Sequence, residues 1–568
     1  MRKFKFSYAF FVLLLTFSSV HLLHAQEASG KPYDKELRQI NEYLKVGNIS
    51  DALYGLEDII QKYPDAADVL YAQGMLFGQM NNIEGAIESA KKAYEISKNI
   101  EYAKYLYTLY YQKDKALALQ FMDAVLADHP DNPDAWQQKV ILLHEDGRSE
   151  EALRIIEEGK DKIGDREKLT LLEADILLDL GQRKKAERIL KKHTQAKTQM
   201  TPFYSSYAFS LNKRGKFKKA IQVLEQGLKN TNDEKLYLDL ADLYDQQNQN
   251  NKSYTYLKLA FESEKVDYGA KRFAMRNLID RPRQSYSAQE RLFLADILTR
   301  LYGNIPESYF FKGEIYLSMQ DMAMAKTMFS KVVTLDKRHV EAWRILIQIE
   351  LMDGNTKTAS QVGLKSLQDN SNHPMLSYFT GITYLMASDY EGARKHLENA
   401  LDHSVESPEY LKSEIYGALG DLYHAIELHE VSDVAYEEAI ALDSTNLTAL
   451  NNYAYYLSIR EEKLELAKKY SLLANELSPD NSTFQDTYAW VLYKNEEMEE
   501  ALIWIEKAIK NSGTAPSATL LDHYGDILYS IGKEKEGLTQ WQKALALAEL
   551  GEEETHQLKE KIKRADYE

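Results

Sequence analysis

The strongest constraint on this chain is a repeat with a period of about 34 residues. A small residue that follows a turn and opens a helical stretch returns along almost the whole sequence, and successive copies lie 32 to 39 residues apart except for one gap of 72. Such a period predicts a stack of similar supersecondary units instead of one compact core. The fourteen copies are Ala52, Ala86, Ala118, Ala152, Ala186, Ala220, Ser253, Ala325, Ala359, Ala393, Ser432, Ala467, Ala501 and Gly537.

Other positions recur in phase with this small residue. Another small residue lies twelve positions upstream, as at Gly313 and Ala489, and three residues after it comes an aromatic residue or leucine, as at Tyr316 and Leu492. A second small residue lies seven positions downstream, as at Ala508. Offsets of three, four and seven residues fall on one face of a helix. Each unit is therefore predicted to be two helices that pair small residues with large ones.

The prolines test this register independently. A proline in a helix interior costs about 3 kcal/mol, so prolines should occur only where units end or begin. The sequence follows this rule: the prolines at unit ends are Pro64, Pro130 and Pro479, and those near unit starts are Pro133, Pro202, Pro306 and Pro374.

The pattern resembles the tetratricopeptide repeat family, as in DAWQQKVILLHEDGRSEEALRIIEEG (134–159) and ESYFFKGEIYLSMQDMAMAKTMFSKVV (307–333). The resemblance covers nearly all of residues 33–547. It implies an all-α fold, a right-handed superhelical solenoid of antiparallel helix pairs, with about fourteen repeats plus one degenerate pair.

The domain organisation follows from the same register. The degenerate segment reads as two helices around Arg281-Pro282, without the small-residue signature. It is either a decayed repeat that keeps the stack continuous or a hinge between two arms. The predicted parts are a signal peptide (1–25), an N-terminal array (26–261), the degenerate pair or hinge (262–305), a C-terminal array (306–547) and a capping helix (548–568).

The N-terminus has the features of a secretory signal peptide. Three basic residues precede an apolar run from Tyr8 to Val20, and cleavage is expected after Ala25. The alternative is an uncleaved membrane anchor, for which the run is short. No later segment is expected to cross a membrane. The chain has no cysteine, which excludes disulfides and the lipid-bearing cysteine of a bacterial lipoprotein. The expected location is the periplasm or the outside of the cell, with any outer-membrane association made through partners.

The sequence gives little support for catalysis, a cofactor or nucleic-acid binding. The net charge is −17, and an acidic chain repels phosphate backbones. No HExxH, GxSxG or Gly-rich phosphate loop is present. His424 and His429 flank Glu427, but their five-residue separation places the imidazoles off a shared helix face. We therefore expect a non-catalytic protein with no cofactor and no metal site.

The family resemblance implies which side chains face a partner, because the fifth, ninth and twelfth residues of each first helix point into the concave groove. In DTYAWVLYK (486–494) this register assigns Asp486, Trp490 and Tyr493 to the groove, and Tyr488, Ala489 and Leu492 to the core. The alternative for Trp490 is packing between adjacent first helices. The predicted protein-binding groove is Asn451, Tyr455, Asp486, Trp490, Tyr493, Asp522, Asp526 and Tyr529.

Two further surfaces are candidates. In YAKYLYTLYYQ (102–112), the groove positions are Tyr107, Tyr110 and Tyr111, with partial burial against neighbours as the alternative, and Tyr102 and Tyr105 are assigned to the core. A basic edge arises from equivalent turns one period apart and reads either as solvated turns or as a site for an anionic ligand such as a cell-envelope polymer or an acidic peptide. Its residues are Arg183, Lys184, Lys185, Lys213, Arg214, Lys216, Lys218 and Lys219.

Residues 450–547 resemble more closely a bacterial cell-envelope subfamily of these repeat proteins, through LNNYAYYLS, DTYAWVLYK and HYGDILYS. The subfamily includes lipoproteins that act as adaptors for periplasmic processing proteases. The function expected from sequence is a non-catalytic protein–protein interaction scaffold of the bacterial cell envelope. The alternatives are an adaptor that delivers substrates to a periplasmic processing protease, and a structural component of an outer-membrane assembly or secretion complex.

Overall fold

The computed structural model describes residues 30–280, 286–547 and 551–567. Within these ranges the chain forms 31 helices and no strand, as the repeat pattern predicts. The predicted signal peptide (1–25) and the Arg281-Pro282 turn lie outside the described residues. The chain divides into two compact units, with the boundary between Asp267 and Tyr268, inside the predicted degenerate segment.

The first unit contains seven consecutive helix pairs. Odd-numbered helices are the first helices of their repeats and even-numbered helices are the second. The bounds are α1 Asp34–Lys45, α2 Ile49–Lys62, α3 Ala67–Gln79, α4 Ile83–Ser97, α5 Ile100–Lys113, α6 Lys115–Asp128, α7 Pro133–Glu145, α8 Ser149–Ile163, α9 Glu167–Asp179, α10 Arg183–Gln195, α11 Thr201–Lys213, α12 Phe217–Thr231, α13 Leu236–Gln246 and α14 Asn250–Glu262.

The second unit begins with the degenerate pair, continues through seven regular repeats and ends in a single helix. The fourteen repeats and the extra pair expected from sequence are therefore confirmed. The bounds are α15 Tyr268–Asp280, α16 Ala288–Leu301, α17 Pro306–Ser318, α18 Met322–Leu335, α19 Val340–Met352, α20 Thr356–Asp369, α21 Pro374–Met386, α22 Tyr390–Asp402, α23 Glu409–Ala425, α24 His429–Leu442, α25 Leu447–Ile459, α26 Leu464–Leu477, α27 Ser482–Lys494, α28 Met498–Asn511, α29 Ala518–Ser530, α30 Glu534–Ala546 and α31 Glu552–Tyr567.

Small and large residues alternate across each helix pair. The periodic small residue of the second helix is fully buried, as at Ala325 and Ala501. At several glycines of the first helices, the second helix places a large side chain against the glycine. A Cβ on Gly313 would lie 2.7 Å from the Phe329 ring, and one on Gly420 would lie 2.8 Å from a second ring, that of Tyr436. The glycines are therefore required by the rings that fill the space beside them.

A left-handed residue marks the turn inside thirteen of the fourteen repeats, for example Asn81 (φ 60°) and Gly147 (φ 79°). The exception lies between α5 and α6, where Asp114 alone separates the helices with extended backbone and accepts from the Ala116 amide as an N-cap. This shorter turn accounts for the 32-residue spacing between Ala86 and Ala118.

Candidate functional site

The predicted groove residues lie on three successive first helices, α25, α27 and α29, each in contact with the next. Tyr488 is only 2% exposed, and Ala489 and Leu492 are fully buried, so their assignment to the core is confirmed. Trp490 and Tyr493 lie on the other side of α27, half-buried, with their rings stacked at a centroid distance of 5.0 Å. The register thus predicts the core stripe of DTYAWVLYK correctly, and the assignment of the other stripe to a partner stays a prediction.

Trp490 also packs against the next repeat. Its ring stacks on the imidazole of His523 in α29, with centroids 4.0 Å apart and an interplanar angle of 16°. The Nζ of Lys494 lies 5.3 Å from the centroid of the Trp490 ring. Trp490 therefore lies between adjacent first helices, as the alternative interpretation expects, and its ring remains partly exposed at the surface.

His523 is the central residue of this cluster, although the repeat register does not assign it to the groove. The side chain is buried, and its Nδ1 shares a 2.9 Å hydrogen bond with Asp486. Burial disfavours the imidazolium, but the negative charges of Asp486, Asp522 and Asp526 outweigh burial and raise the pKa of His523. A cationic imidazole is therefore stabilised among three carboxylates.

The carboxylates of α29 are engaged from the C-terminal helix. The ammonium of Lys561 in α31 donates to Asp522 and to Asp526, each at 2.8 Å. The indole N–H of Trp541 donates to Asp526 at 3.0 Å. This acidic end of the predicted groove is thus filled by a side chain of the same protein.

Tyr529 was expected on the groove stripe, but its ring packs against Trp541 of its own second helix at 5.1 Å. The close approach is possible because Gly537 has no side chain: a Cβ there would lie 3.2 Å from the Tyr529 Cβ. The structure therefore places Tyr529 against α30.

The start of the stripe lies deeper than expected. Asn451 is 6% exposed and its side-chain amide donates to the Asn452 Oδ1 at 3.3 Å, while the Asn451 Oδ1 has no hydrogen-bond partner among the described residues. The Trp490 indole N–H also has no hydrogen-bond acceptor among the described residues. Tyr455 is half-buried, with its ring centroid 6.3 Å from that of His523. Two polar atoms beside the aromatic stripe are therefore unsatisfied, which is unusual for buried groups.

A recurring contact explains why groove positions are partly covered. In the repeat register, the ninth residue of a first helix contacts the sixth residue of the next first helix. Three pairs are hydrogen-bonded and separated by 31 residues, and the fourth is the ring stack described above. The pairs are Tyr107–Gln138 (3.4 Å), Asp175–Ser206 (2.8 Å), Asp421–Asn452 (3.0 Å) and Trp490–His523. The Trp490–His523 pair is 33 residues apart, so the shared register, and not a fixed separation, is the sequence signal that could have identified His523.

The tyrosine cluster on α5 is used mainly for packing. Tyr107 is buried, Tyr110 packs on Phe121 of its own second helix at 5.4 Å, and the Tyr111 hydroxyl donates to Glu145 at 2.9 Å. This matches the alternative of burial against neighbours.

Tyr102 and Tyr105 were assigned to the core, and both are half-buried. Tyr102 stacks on Tyr71 of α3 at 4.3 Å, and Tyr105 meets the same ring edge-on at 5.7 Å. The Tyr105 hydroxyl donates to the Gly74 carbonyl at 3.0 Å. These rings join neighbouring first helices.

The basic edge is fully at the surface. All eight predicted residues are exposed, on the first turns of α10 and α12, in the turn before α12 and at the last residue of α11. Arg214 pairs with Glu187 at 2.6 Å. The other seven cations have no carboxylate within 4 Å in the described structure, and Lys213 lies 5.5 Å from the Phe209 ring centroid. The basic residues are exposed and mostly without a carboxylate partner in the described structure, which is compatible with either interpretation.

The described residues contain no group of three His, Asp or Glu side chains arranged to hold a metal ion. The rings of His424 and His429 lie 5.1 Å apart, and His424 stacks on Tyr456 at 3.6 Å. Burial lowers the pKa of His424 to about 4, so this imidazole is neutral near pH 7. None of the helices described is both long and apolar enough to span a bilayer.

Sequence comparisons match parts of this chain to known proteins. Sequence profiles of the tetratricopeptide repeat match residues 37–99, 306–339 and 413–446. A curated relative, the type IV pilus assembly protein PilF of Pseudomonas aeruginosa, is 27% identical over 158 residues. The alignment covers 28% of this chain and 58% of PilF, so the chain spans just over half the length of that relative.

Similar solved structures share little sequence with the chain. The Cut9–Hcn1 hetero-tetramer of the APC/C aligns with a TM-score of 0.38 and 14% identity over 82% of this chain and 96% of its own. A tetratricopeptide repeat protein from Parabacteroides merdae aligns with a TM-score of 0.36 and 14% identity, covering 46% of this chain and 98% of its own. Yeast Tom70 aligns with a TM-score of 0.33 and 17% identity, covering 89% of this chain and 96% of its own.

The family assignment rests on the sequence profiles and on the helix pairs themselves. Profile matches fall in both units, and every regular repeat has a buried small residue at the start of its second helix. Repeats of this kind are modules that bind protein partners. The chain contains tetratricopeptide repeats in both of its units.

Proposed function

We propose that this protein is a non-catalytic scaffold of the bacterial cell envelope that binds segments of partner proteins along the first helices of its C-terminal repeats. The observation that carries the proposal is the half-buried stripe of Tyr455, Trp490 and Tyr493, bordered by carboxylates and crossing adjacent repeats. Tryptophan and tyrosine side chains that remain partly exposed are the residue types that anchor protein interfaces.

The stripe suggests what a bound segment would contribute. The stacked rings of Trp490 and Tyr493 offer an apolar platform that a partner's aliphatic or aromatic side chain could cover. The unsatisfied Oδ1 of Asn451 would accept a hydrogen bond after a small side-chain adjustment. An extended or helical segment lying across several repeats would combine both contacts.

The envelope location rests on the signal-peptide features of residues 1–25 and on the resemblance of residues 450–547 to envelope repeat proteins. Of the two narrower functions, the relative's name favours a component of an envelope assembly, since PilF is named for type IV pilus assembly. Protease-adaptor activity has support only from the subfamily resemblance. Crosslinked complexes isolated from intact cells would contain assembly proteins in the first case, and a processing protease with its substrates in the second.

The proposal is tested by replacing the platform. Trp490→Ala combined with Tyr493→Ala should reduce recovery of crosslinked partners about tenfold or more, the size of effect produced by losing an interface anchor. The matched control is Trp504→Ala, which removes a tryptophan from the second helix of the same repeat, where it packs against Tyr488 at 4.9 Å. If both variants remain helical and recover partners as the wild type does, the platform is not the binding site.

A further inference from the structure

The last helix, α31, packs against the preceding repeat through a single stripe of side chains. Leu558 is fully buried with Leu521 and Trp541, and Ile562 and Ala565 pack against the same cluster. The described residues between these positions are mostly exposed. Four residues per two turns is the pattern of a helix laid against a surface.

Lys561 lies at the centre of this stripe. Its ammonium contacts the carboxylates of Asp522 and Asp526 at 2.8 Å each, and lies 5.9 Å from the centroid of the Trp541 ring. The same tryptophan donates its N–H to Asp526. Two carboxylates, an indole face and an apolar floor therefore form a receptor for one basic side chain on a helix.

This receptor borders the proposed binding stripe. Asp522 and Asp526 lie on α29, the helix that also carries His523 beneath Trp490. The charges of Asp526 and Lys561 both act on the Tyr493 hydroxyl, where burial and Asp526 raise its pKa against the opposing effect of Lys561. A helix bound at this position would therefore lie close to the platform.

We propose that this receptor is a docking site for a partner helix that presents a lysine or arginine with aliphatic residues three positions before it and one and four positions after it. Helix α31 occupies the site in cis through Lys561, with Leu558, Ile562 and Ala565 in the aliphatic positions. A partner helix of the same pattern replaces α31. The expected pattern of the partner helix is thus taken from the contacts that α31 itself makes with the receptor, in charge and in shape.

The composition of α31 makes the exchange feasible. Only Leu558 among its described side chains is a fully buried apolar residue. The apolar contact is therefore small, and the two ion pairs of Lys561 supply much of the specificity. This inference rests on the proposed function, because it assumes that the protein binds partners. Binding at the receptor itself can be measured without any partner protein.

The test uses the full chain and a fluorescent peptide of residues 551–568. Lys561→Glu in the chain places a third negative charge beside Asp522 and Asp526 and should release α31, seen as faster hydrogen exchange in that helix. The peptide should then bind the Lys561→Glu chain about tenfold or more tightly than it binds the wild type, since the site is open. A peptide that itself carries Lys561→Glu should bind neither chain.

Lys559→Glu is the matched control, because Lys559 lies on the same helix and is exposed. This variant should keep α31 protected and should bind the peptide as the wild type does. Unchanged exchange in Lys561→Glu, or release of α31 without peptide binding, would overturn the docking site. A wild-type dimer that Lys561→Glu abolishes would instead identify the occupant as a second copy of the chain. No partner protein is present in this experiment. The docking site can therefore be disproved while Trp490 and Tyr493 still bind a partner protein.

Discussion

At the scale of single residues, the most informative side chain is His523, because the carboxylates around it come from two adjacent repeats. Asp486 belongs to the preceding first helix, whereas Asp522 and Asp526 flank His523 on its own helix. The folded state raises the pKa of His523 above its unfolded value near 6.5. The resulting stabilisation is present below pH 6.5 and is lost as the pH rises through the folded-state pKa.

Asp486→Asn should reverse this behaviour. Without the charge of Asp486, burial has the larger effect, and the pKa of His523 should fall. NMR titration of the histidine ring protons measures this directly. Asp480→Asn, an exposed carboxylate in the loop before the same helix, should leave the titration unchanged. A His523 pKa that does not move in Asp486→Asn would show that this carboxylate does not hold the charge.

The sequence predicts single residues well where the repeat register alone decides their environment. Tyr488 and Trp490 are two residues apart, and the register places Tyr488 in the core, as the structure does, whereas Trp490 is half-buried against the next first helix. It does not predict His523 or Lys561. Their roles depend on which residue the neighbouring helix presents, 37 and 39 residues away from Asp486 and Asp522.

At the scale of elements, helix pairing depends on complementary volumes. Gly313 of α17 faces the Phe329 ring of α18, and a Cβ would lie 2.7 Å from that ring. Gly417 of α23 offers the opposite case, because a Cβ there meets nothing closer than 3.8 Å. The same substitution should therefore have opposite effects in the two helices.

Gly313→Ala should lower the free energy of unfolding by about 1 to 3 kcal/mol, the usual effect of overpacking a core. Gly417→Ala should raise it by about 0.5 to 1 kcal/mol, because alanine restricts the unfolded chain and favours the helix. Urea unfolding followed by circular dichroism measures both. Phe329→Leu should recover part of the loss in Gly313→Ala. Destabilisation by both alanines to the same extent would contradict the volume argument.

The period also predicts where elements occur, and a departure from it has a local cause. The spacing of 32 residues between Ala86 and Ala118 shows in advance that one unit is short. The sequence does not show which turn is shortened. In the structure it is the α5–α6 turn, reduced to Asp114, whose side chain caps the second helix directly.

At the scale of the whole molecule, the proposed binding surface exists only because repeats stack. Its residues run from Asn451 on α25 to Asp526 on α29, and no single helix pair holds more than a part of it. Contacts between neighbouring first helices bring these parts together. The acidic end of the surface is closed by α31, which the sequence predicts as a capping helix but not as the source of the Lys561 contact.

The central claim, that partners bind along the C-terminal first helices, is tested most directly by site-specific photocrosslinking in cells. A photoreactive amino acid at position 493, on the stripe, should form discrete adducts with partner proteins. The same group at position 503, where an isoleucine is 64% exposed on the second helix of that repeat, should form few or none. Adducts from position 503 with none from position 493 would contradict the account.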